Sequence, residues 1–363
     1  MIDRRLLAQI DLLALAVTMA LALAGLAVIY SATYLHMPSV YVKETYWIAL
    51  GVVFLLLAVA VNYTFLEQFA YVLYGLVMVL LVAVLFVGSS GGGAQRWLSL
   101  GYFTLQPSEV AKLALIIVLA KHFSSSQVRP LGLGIKDLLT PAGLLAIPFL
   151  LIAKQPDLGT AIILWMIFWS MVLTVKVRLR TVAGIVIAFS AMIPLGWTML
   201  KGYQKARILS FWDPTTDPLG SGYHVMQSKI AIGSGGLLGK GFTEGTQGKL
   251  MFLPEQHTDF AFAVLAEEWG LIGVLILIGL FTTLLLSGLN TAGGSKDRFG
   301  FLVAVGVTSM FFWHVVINLG MVSGLLPVVG VPLPFISYGG SFLITSMTAC
   351  GLLINIRMRR FIF

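Results

Sequence analysis

Between Lys249 and Gly270 the chain reads KLMFLPEQHTDFAFAVLAEEWG, which gathers Glu255, His257, Asp259, Glu267 and Glu268 into one short stretch. Only 10% of the residues of this protein are charged, so the concentration calls for a reason. Carboxylates beside an imidazole are the side chains that accept and return protons. From Phe260 to Ala266 the stretch becomes apolar, which puts Asp259 where water gives way to a hydrophobic phase. Ionisable groups at such a boundary are costly and point to function. The structural alternative is that Thr258 caps a helix and Asp259 complements its positive end.

The elements that must position these groups are membrane helices. The chain is 58% hydrophobic over 363 residues, and its apolar runs are long and continuous rather than alternating. In lipid every backbone group must be paired within its own helix or a closed barrel, so an all-α polytopic membrane protein is expected. Ten transmembrane helices are expected, at 12–30, 47–61, 69–87, 108–123, 138–153, 158–175, 182–200, 261–289, 301–323 and 340–356. The run after Arg4 and Arg5 is too long for a signal-peptide core and reads as the first span. Lys and Arg cluster at one set of helix ends, which predicts both termini in the cytoplasm. Cys350 is the single cysteine, so neither a disulfide nor a cysteine metal site is expected. The net charge of +8 is accounted for by the helix ends, and no nucleic-acid partner is implied.

This arrangement puts two long segments on the outer face, one at 88–107 and a large extracytoplasmic loop at 201–260 between helices 7 and 8, within a single membrane domain covering 1–363. Segments of this length usually act as lids or binding loops. In the first, Gly91-Gly92-Gly93-Ala94-Gln95-Arg96-Trp97-Leu98 sets a cation and an indole behind flexible glycines. Arg96 and Trp97 could clamp a phosphate at headgroup depth, or simply anchor the interface. Gln106-Pro107-Ser108-Glu109-Val110-Ala111-Lys112 starts a helix with Pro at its first position, and Glu109 and Lys112 share one face just below the outer surface. They are either a structural ion pair or the floor of a cavity suited to an anionic headgroup. Asp157 could cap the helix that follows it. The loop at 201–260 carries Arg207, Trp212 and Asp213-Pro214, then the glycine-dense run 233–241, which lacks the terminal Lys-Ser or Lys-Thr of a nucleotide loop. Val331-Pro332-Leu333-Pro334 and Gly339-Gly340 suggest a broken, re-entrant stretch, and His314 and Asn318 suit interhelical hydrogen bonds.

Gln95-Arg96-Trp97-Leu98, Gln106-Pro107-Ser108-Glu109-Val110-Ala111-Lys112, Gly245-Thr246-Gln247, Leu253-Pro254-Glu255-Gln256-His257-Thr258-Asp259-Phe260 and Pro334-Phe335-Ile336-Ser337-Tyr338-Gly339-Gly340-Ser341 together resemble the SEDS proteins (shape, elongation, division and sporulation), most closely the RodA type. The resemblance spans nearly the whole chain. It implies a peptidoglycan glycosyltransferase in the bacterial cytoplasmic membrane, acting on its outer face during cell elongation. The implied substrate is lipid II, the undecaprenyl-diphosphate-linked disaccharide pentapeptide, and the implied partner is a class B penicillin-binding protein. It implies that Asp259 is catalytic, and that Arg96, Trp97, Glu109, Lys112, Glu255 and His257 bind substrate or support the site.

That chemistry suits the residues. A sugar hydroxyl attacks an anomeric carbon as a diphosphate leaves, which needs a base, Asp259, and cations, for which Arg96 and Lys112 are candidates. No cofactor is written in the sequence, although a divalent cation, Mg or Mn, is compatible with the reaction. On a continuous helix Glu267 would lie about 12 Å deeper than Asp259 and on another face, paired with a neighbouring helix. Ten helices with buried charges would also suit a flippase for lipid-linked cell-wall precursors, which should carry polar groups towards both faces. A scaffold for the cell-wall machinery would tolerate Asp259→Asn.

Overall fold

The computed structural model describes residues 9–360 apart from 92–93, 102, 126–131, 179, 185–186, 188–197, 199–201, 213–219, 250–251 and 253–254. Most of the expected span 182–200 therefore lies outside the described residues, as do Arg4, Arg5, Gly92, Gly93, Arg129, Asp213, Pro214, Leu253 and Pro254.

The fold is predominantly helical. Among the described residues seven helices are long and apolar enough to cross a membrane: α1 (Leu12–Thr33), α2 (Pro38–Ala60), α3 (Tyr63–Val87), α5 (Ile135–Lys154), α10 (Ala261–Gly293), α11 (Arg298–Val322) and α12 (Gly340–Met358). Two shorter or more polar helices, α4 (Pro107–Ser125) and α6 (Leu158–Thr174), pack with them. Local chemistry sets where they start. Asp11, Asn62, Asp157 and Asp297 each cap a helix by accepting from a backbone amide in its first turn, and Pro38 opens α2.

The layers follow from burial. Helices α2, α3 and α5 bury a minority of their surface and turn Phe54, Phe65, Val79, Phe86 and Leu139 outward, as lipid-facing helices do. Helices α11 and α12 are mostly enclosed by protein. Helix α4 is enclosed almost completely, with Ala111 to Ala120 buried without a break. It packs on α3 and α11, while α11 also packs on α6 and α10, and α12 lies along α2. A central helix can carry Glu109 and Lys112 because protein, not lipid, surrounds them.

The two ends of the bundle differ. One end is closed by ion pairs and hydrogen bonds among helix termini, namely Asp11 with Arg357, Lys121 with Glu67 and Tyr63 with Asp297. The other end carries the loops that hold the motifs. There the all-α expectation needs a correction, because β1 (Ser89–Gly91), β2 (Ala94–Leu100) and β3 (Phe103–Leu105) form a three-stranded antiparallel sheet. The alternation of side chains in AQRWLSL suits a strand and turns Arg96 and Trp97 to opposite faces. The large loop is structured too. It contains α7 (Gly202–Trp212), α8 (Ser221–Gly235), which packs on α10, and the single turn α9 (Thr246–Lys249).

The eighth expected span is broken rather than continuous. At Gly270 the backbone of α10 swings to φ 62° and ψ −160°, so the helical ladder fails on both sides of it. The freed groups pair with the glycine run: Lys240 and Gly241 donate their amides to the carbonyls of Glu267 and Glu268 at 3.0 Å each. Leu271 and Ile272 donate to Gly236 and Leu237 at 2.9 and 3.2 Å. A helix interrupted near the membrane must have its backbone satisfied by protein, and this run does it. A side chain at position 270 would collide with the Gly239 amide and meet the Leu237 carbonyl at 2.7 Å. Gly270→Ala is therefore expected to lower the thermal midpoint of the purified protein by the equivalent of about 2 kcal/mol. Gly279→Ala, where the added carbon meets nothing, should melt with the wild type; equal midpoints for both would mean that the pairing is not stabilising.

Candidate active site

The site grows from α4. Its first turn carries Glu109 and Lys112, and the Lys112 ammonium sits 2.7 Å from the Glu109 carboxylate with both side chains shut off from solvent. The same ammonium lies 2.9 Å from His314 Nε2 on α11 and over the ring of Phe342 on α12. An ammonium can only donate, so Nε2 accepts. Nδ1 of His314 therefore carries the proton and donates to the Pro332 carbonyl at 3.1 Å. One buried cation thus joins α4, α11, α12 and the segment 325–339.

One turn further along α11, Asn318 donates from Nδ2 to the Asp259 carbonyl at 2.9 Å and to the Val331 carbonyl at 2.8 Å. It pins the backbone of Asp259 to the segment 325–339. A second tie is the Tyr338 amide, which donates to the His257 carbonyl at 2.8 Å. The segment itself is held close. Gly25 on α1 leaves room for the Phe335 carbonyl, which a larger residue would strike. Ser341, at the start of α12, donates to the Thr104 carbonyl and accepts from the Gln106 amide, both at 3.0 Å. The motifs 106–112, 255–260 and 334–341 therefore meet in space although up to 235 residues separate them.

Asp259 lies in the turn just ahead of α10, in the residues 255–260 that fold back on the Glu255 carbonyl. It keeps partial exposure, yet so much protein surrounds it that desolvation pushes its pKa up to about 6. Glu255 adds to the rise, Arg207 and Arg96 oppose it, and Asp157 adds a smaller push. Glu255 is exposed and sits in the left-handed region at φ 52°, where its carboxylate accepts from the Thr258 hydroxyl at 3.0 Å. A left-handed glutamate is strained, and the folded turn sustains it. His257 is half-buried, and burial holds its imidazole below the ordinary value against the pull of Glu255. Its Nδ1 is buried with no hydrogen-bond partner among the described residues, and its ring lies 5.9 Å from that of Tyr338.

Arg96 reaches in from β2 and donates to the carbonyls of Gln155 and Pro156, beside the cap of α6. Asp157 caps that helix, its carboxylate accepting from the Thr160 amide and hydroxyl and from the Gln106 side chain. Trp97 is partly exposed on the other face of β2. Glu267 and Glu268 do not join this group. Glu267 is bound by the Lys240 ammonium at 2.6 Å and by the Thr246 amide at 2.9 Å, so its partners are in the large loop and not on a neighbouring membrane helix. Glu268 accepts from Ser31 on α1. Arg207 is the participant that the pattern of residues did not single out. Its position in α7, within the field of Asp259, has no local sequence signal beyond a cation in an outer loop.

The donor set also bears on metal binding. Among the described residues no group of three His, Cys, Asp or Glu side chains is placed to hold a metal ion.

A family model described as a cell cycle protein, FtsW/RodA/SpoVE, matches residues 10–361. The chain belongs to this family. The peptidoglycan glycosyltransferase MrdB of Escherichia coli is 44% identical over 314 residues, 86% of this chain and 84% of that protein. The stage V sporulation protein E of Bacillus subtilis is 36% identical over 356 residues, 95% of this chain and 96% of that protein. A chain solved in a peptidoglycan synthase complex, in a study of coordinated polymerisation and crosslinking, superposes with a TM-score of 0.84 at 34% identity, covering 98% of this chain and 99% of that one. The rod shape determining protein RodA of Thermus thermophilus superposes with a TM-score of 0.72 at 28% identity, covering 97% and 98%. This member of the family is thus a multi-pass bacterial membrane protein with a RodA-like fold.

Removing only one half of the buried pair should be worse than removing both. Lys112→Met strands the Glu109 carboxylate and is expected to destabilise the fold by about 3–5 kcal/mol, while adding Glu109→Gln recovers much of that loss. Additive losses in thermal unfolding of the two single variants and the double variant would show that the pair is not coupled.

Proposed function

We infer that the protein is a peptidoglycan glycosyltransferase that polymerises lipid II on the outer face of the cytoplasmic membrane during cell elongation, with Asp259 as its general base. The observation that carries this reading is a partly exposed carboxylate anchored through its backbone to a buried network, which desolvation raises to a pKa of about 6 within the fields of Arg207 and Arg96. A base that titrates close to neutrality can take a proton at physiological pH and release it again. The names of the family's relatives supply the class of reaction.

The acceptor sugar hydroxyl loses its proton to the Asp259 carboxylate as its oxygen attacks the anomeric carbon of the donor. The bond from that carbon to the lipid diphosphate breaks, and the electron pair leaves with the diphosphate. Arg96 sits where its guanidinium can meet that growing charge. Lys112 is enclosed and already matched by Glu109, so it supports the site through His314 rather than by touching substrate. Glu255 and His257 shape the turn that presents Asp259, and Trp97 offers an apolar wall at headgroup depth.

Ten membrane spans with both termini in the cytoplasm complete the proposal. This orientation sends the basic helix ends inward and the motif-bearing loops outward. A class B penicillin-binding protein is the proposed partner, since the relative solved in a synthase complex couples polymerisation to crosslinking.

Purified protein supplied with labelled lipid II and its cognate penicillin-binding protein is expected to make glycan strands, and folded Asp259→Asn to make none. Strands from the Asn variant at the wild-type rate would remove Asp259 from the chemistry. Lipid movement across liposomes without polymer would favour a flippase. Protonation of Asp259 removes the base, so kcat/KM should fall as pH drops through about 6 and level off above it. A profile flat from pH 5 to 8 would contradict this assignment.

A further inference from the structure

With Lys112 enclosed and neutralised, the cations able to receive a leaving diphosphate must lie at a surface beside Asp259. A narrow cleft between α7, α8 and residues 324–328 is lined by Arg207, Ser210, Phe211, Val225, Lys229 and Pro327, among others. Resting on the transferase reading, we propose that Arg207 and Lys229 form the seat for the lipid-linked diphosphate of the donor.

Three observations carry this. The lining contains two cations and a hydroxyl but no carboxylate, and among the described residues neither cation is matched in an ion pair. Their charge is therefore available to an anion. The helix that carries Lys229 is also anchored beside the cleft. The end of the Lys229 side chain passes close over Gly324, in space that a side chain at 324 would fill. Ser228, the residue before it, donates to the Val322 carbonyl at 2.7 Å and fixes α8 to the end of α11. Finally, the His224 ring on α8 stacks on that of Phe260 at 5.7 Å, and the Asp259 carboxylate lies against Gly330, two residues beyond Val328 of the cleft, so the cleft and the reacting carboxylate share one face of the bundle. The interior has room for roughly one water molecule, so the diphosphate would lie across the mouth, bridging the two cations. A planar guanidinium paired with a mobile ammonium suits two linked phosphoryl groups, one gripped through paired donors and one by a point charge.

The test is equilibrium binding to the purified full chain in lipid nanodiscs, with a polyprenyl diphosphate and the matching uncharged polyprenol as probes. The wild type should prefer the diphosphate by at least about tenfold, and Arg207→Gln and Lys229→Gln should each cut its affinity about tenfold while leaving polyprenol binding unchanged. Arg207→Lys should retain most of the preference. Lys229 is exposed, so Lys229→Gln should fold and decides the matter even if a change at Arg207 disturbs the structure. An undiminished preference in Lys229→Gln, or no preference in the wild type, overturns the proposal. Inorganic pyrophosphate binding as tightly as the lipid-linked form would assign the cleft to a soluble anion and overturn it too. Binding is measured without turnover, so a wild type that holds the diphosphate but makes no glycan strand would defeat the transferase reading while leaving the seat in place.

Discussion

A lysine with no access to water stands at the centre of this molecule. Glu109 stands beside Lys112 as its counter-charge, His314 accepts from the ammonium and Phe342 offers it a ring face, and a buried pair needs such partners. That need for partners fixes the arrangement. His314 must present Nε2 to the lysine, which leaves its Nδ1 proton to hold Pro332, and the re-entrant segment is thereby tied to α4. Asn318, one turn along the same helix, then secures Asp259 to that segment. The catalytic candidate inherits its position from a charge it does not touch.

The second constraint is the break in α10. Four backbone groups around Gly270 lose their helical partners and recover new ones from residues 236–241. The helix and the large loop are consequently one structural unit, and Glu267 and Glu268 reinforce it by binding Lys240, Thr246 and Ser31. The carboxylates between Lys249 and Gly270 thus divide by task. Asp259 lies within the electrostatic influence of Arg96 and Arg207 with its pKa raised to about 6, whereas Glu267 and Glu268 are spent on holding the loop to the bundle. Proximity along the chain does not imply a shared role.

The same division separates the cations. Arg96 and Arg207 arrive from a β-strand and from a loop helix, and both act on Asp259 through space. The cations that act on Asp259 thus come from the loops, while Lys112 on α4 and Lys240 in the glycine run are matched by carboxylates.

Hydrophobic run length by itself determined the class and most of the helix positions, because a bilayer accepts few alternatives. The pairing of Glu109 with Lys112 was legible too, since residues three apart on a helix are neighbours whatever surrounds them. So were the cap at Asp157 and the prominence of Asp259. Tertiary structure alone decided that residues 89–91, 94–100 and 103–105 form a sheet, that α10 breaks at Gly270, that Glu267 binds a loop, and that the field of Arg207 reaches Asp259. These features depend on contacts between residues far apart in the chain, and local periodicity carries no information about them. Burial decided the rest: it raises the Asp259 pKa towards neutrality and takes Lys112 out of reach of a ligand, and burial is a property of the whole fold.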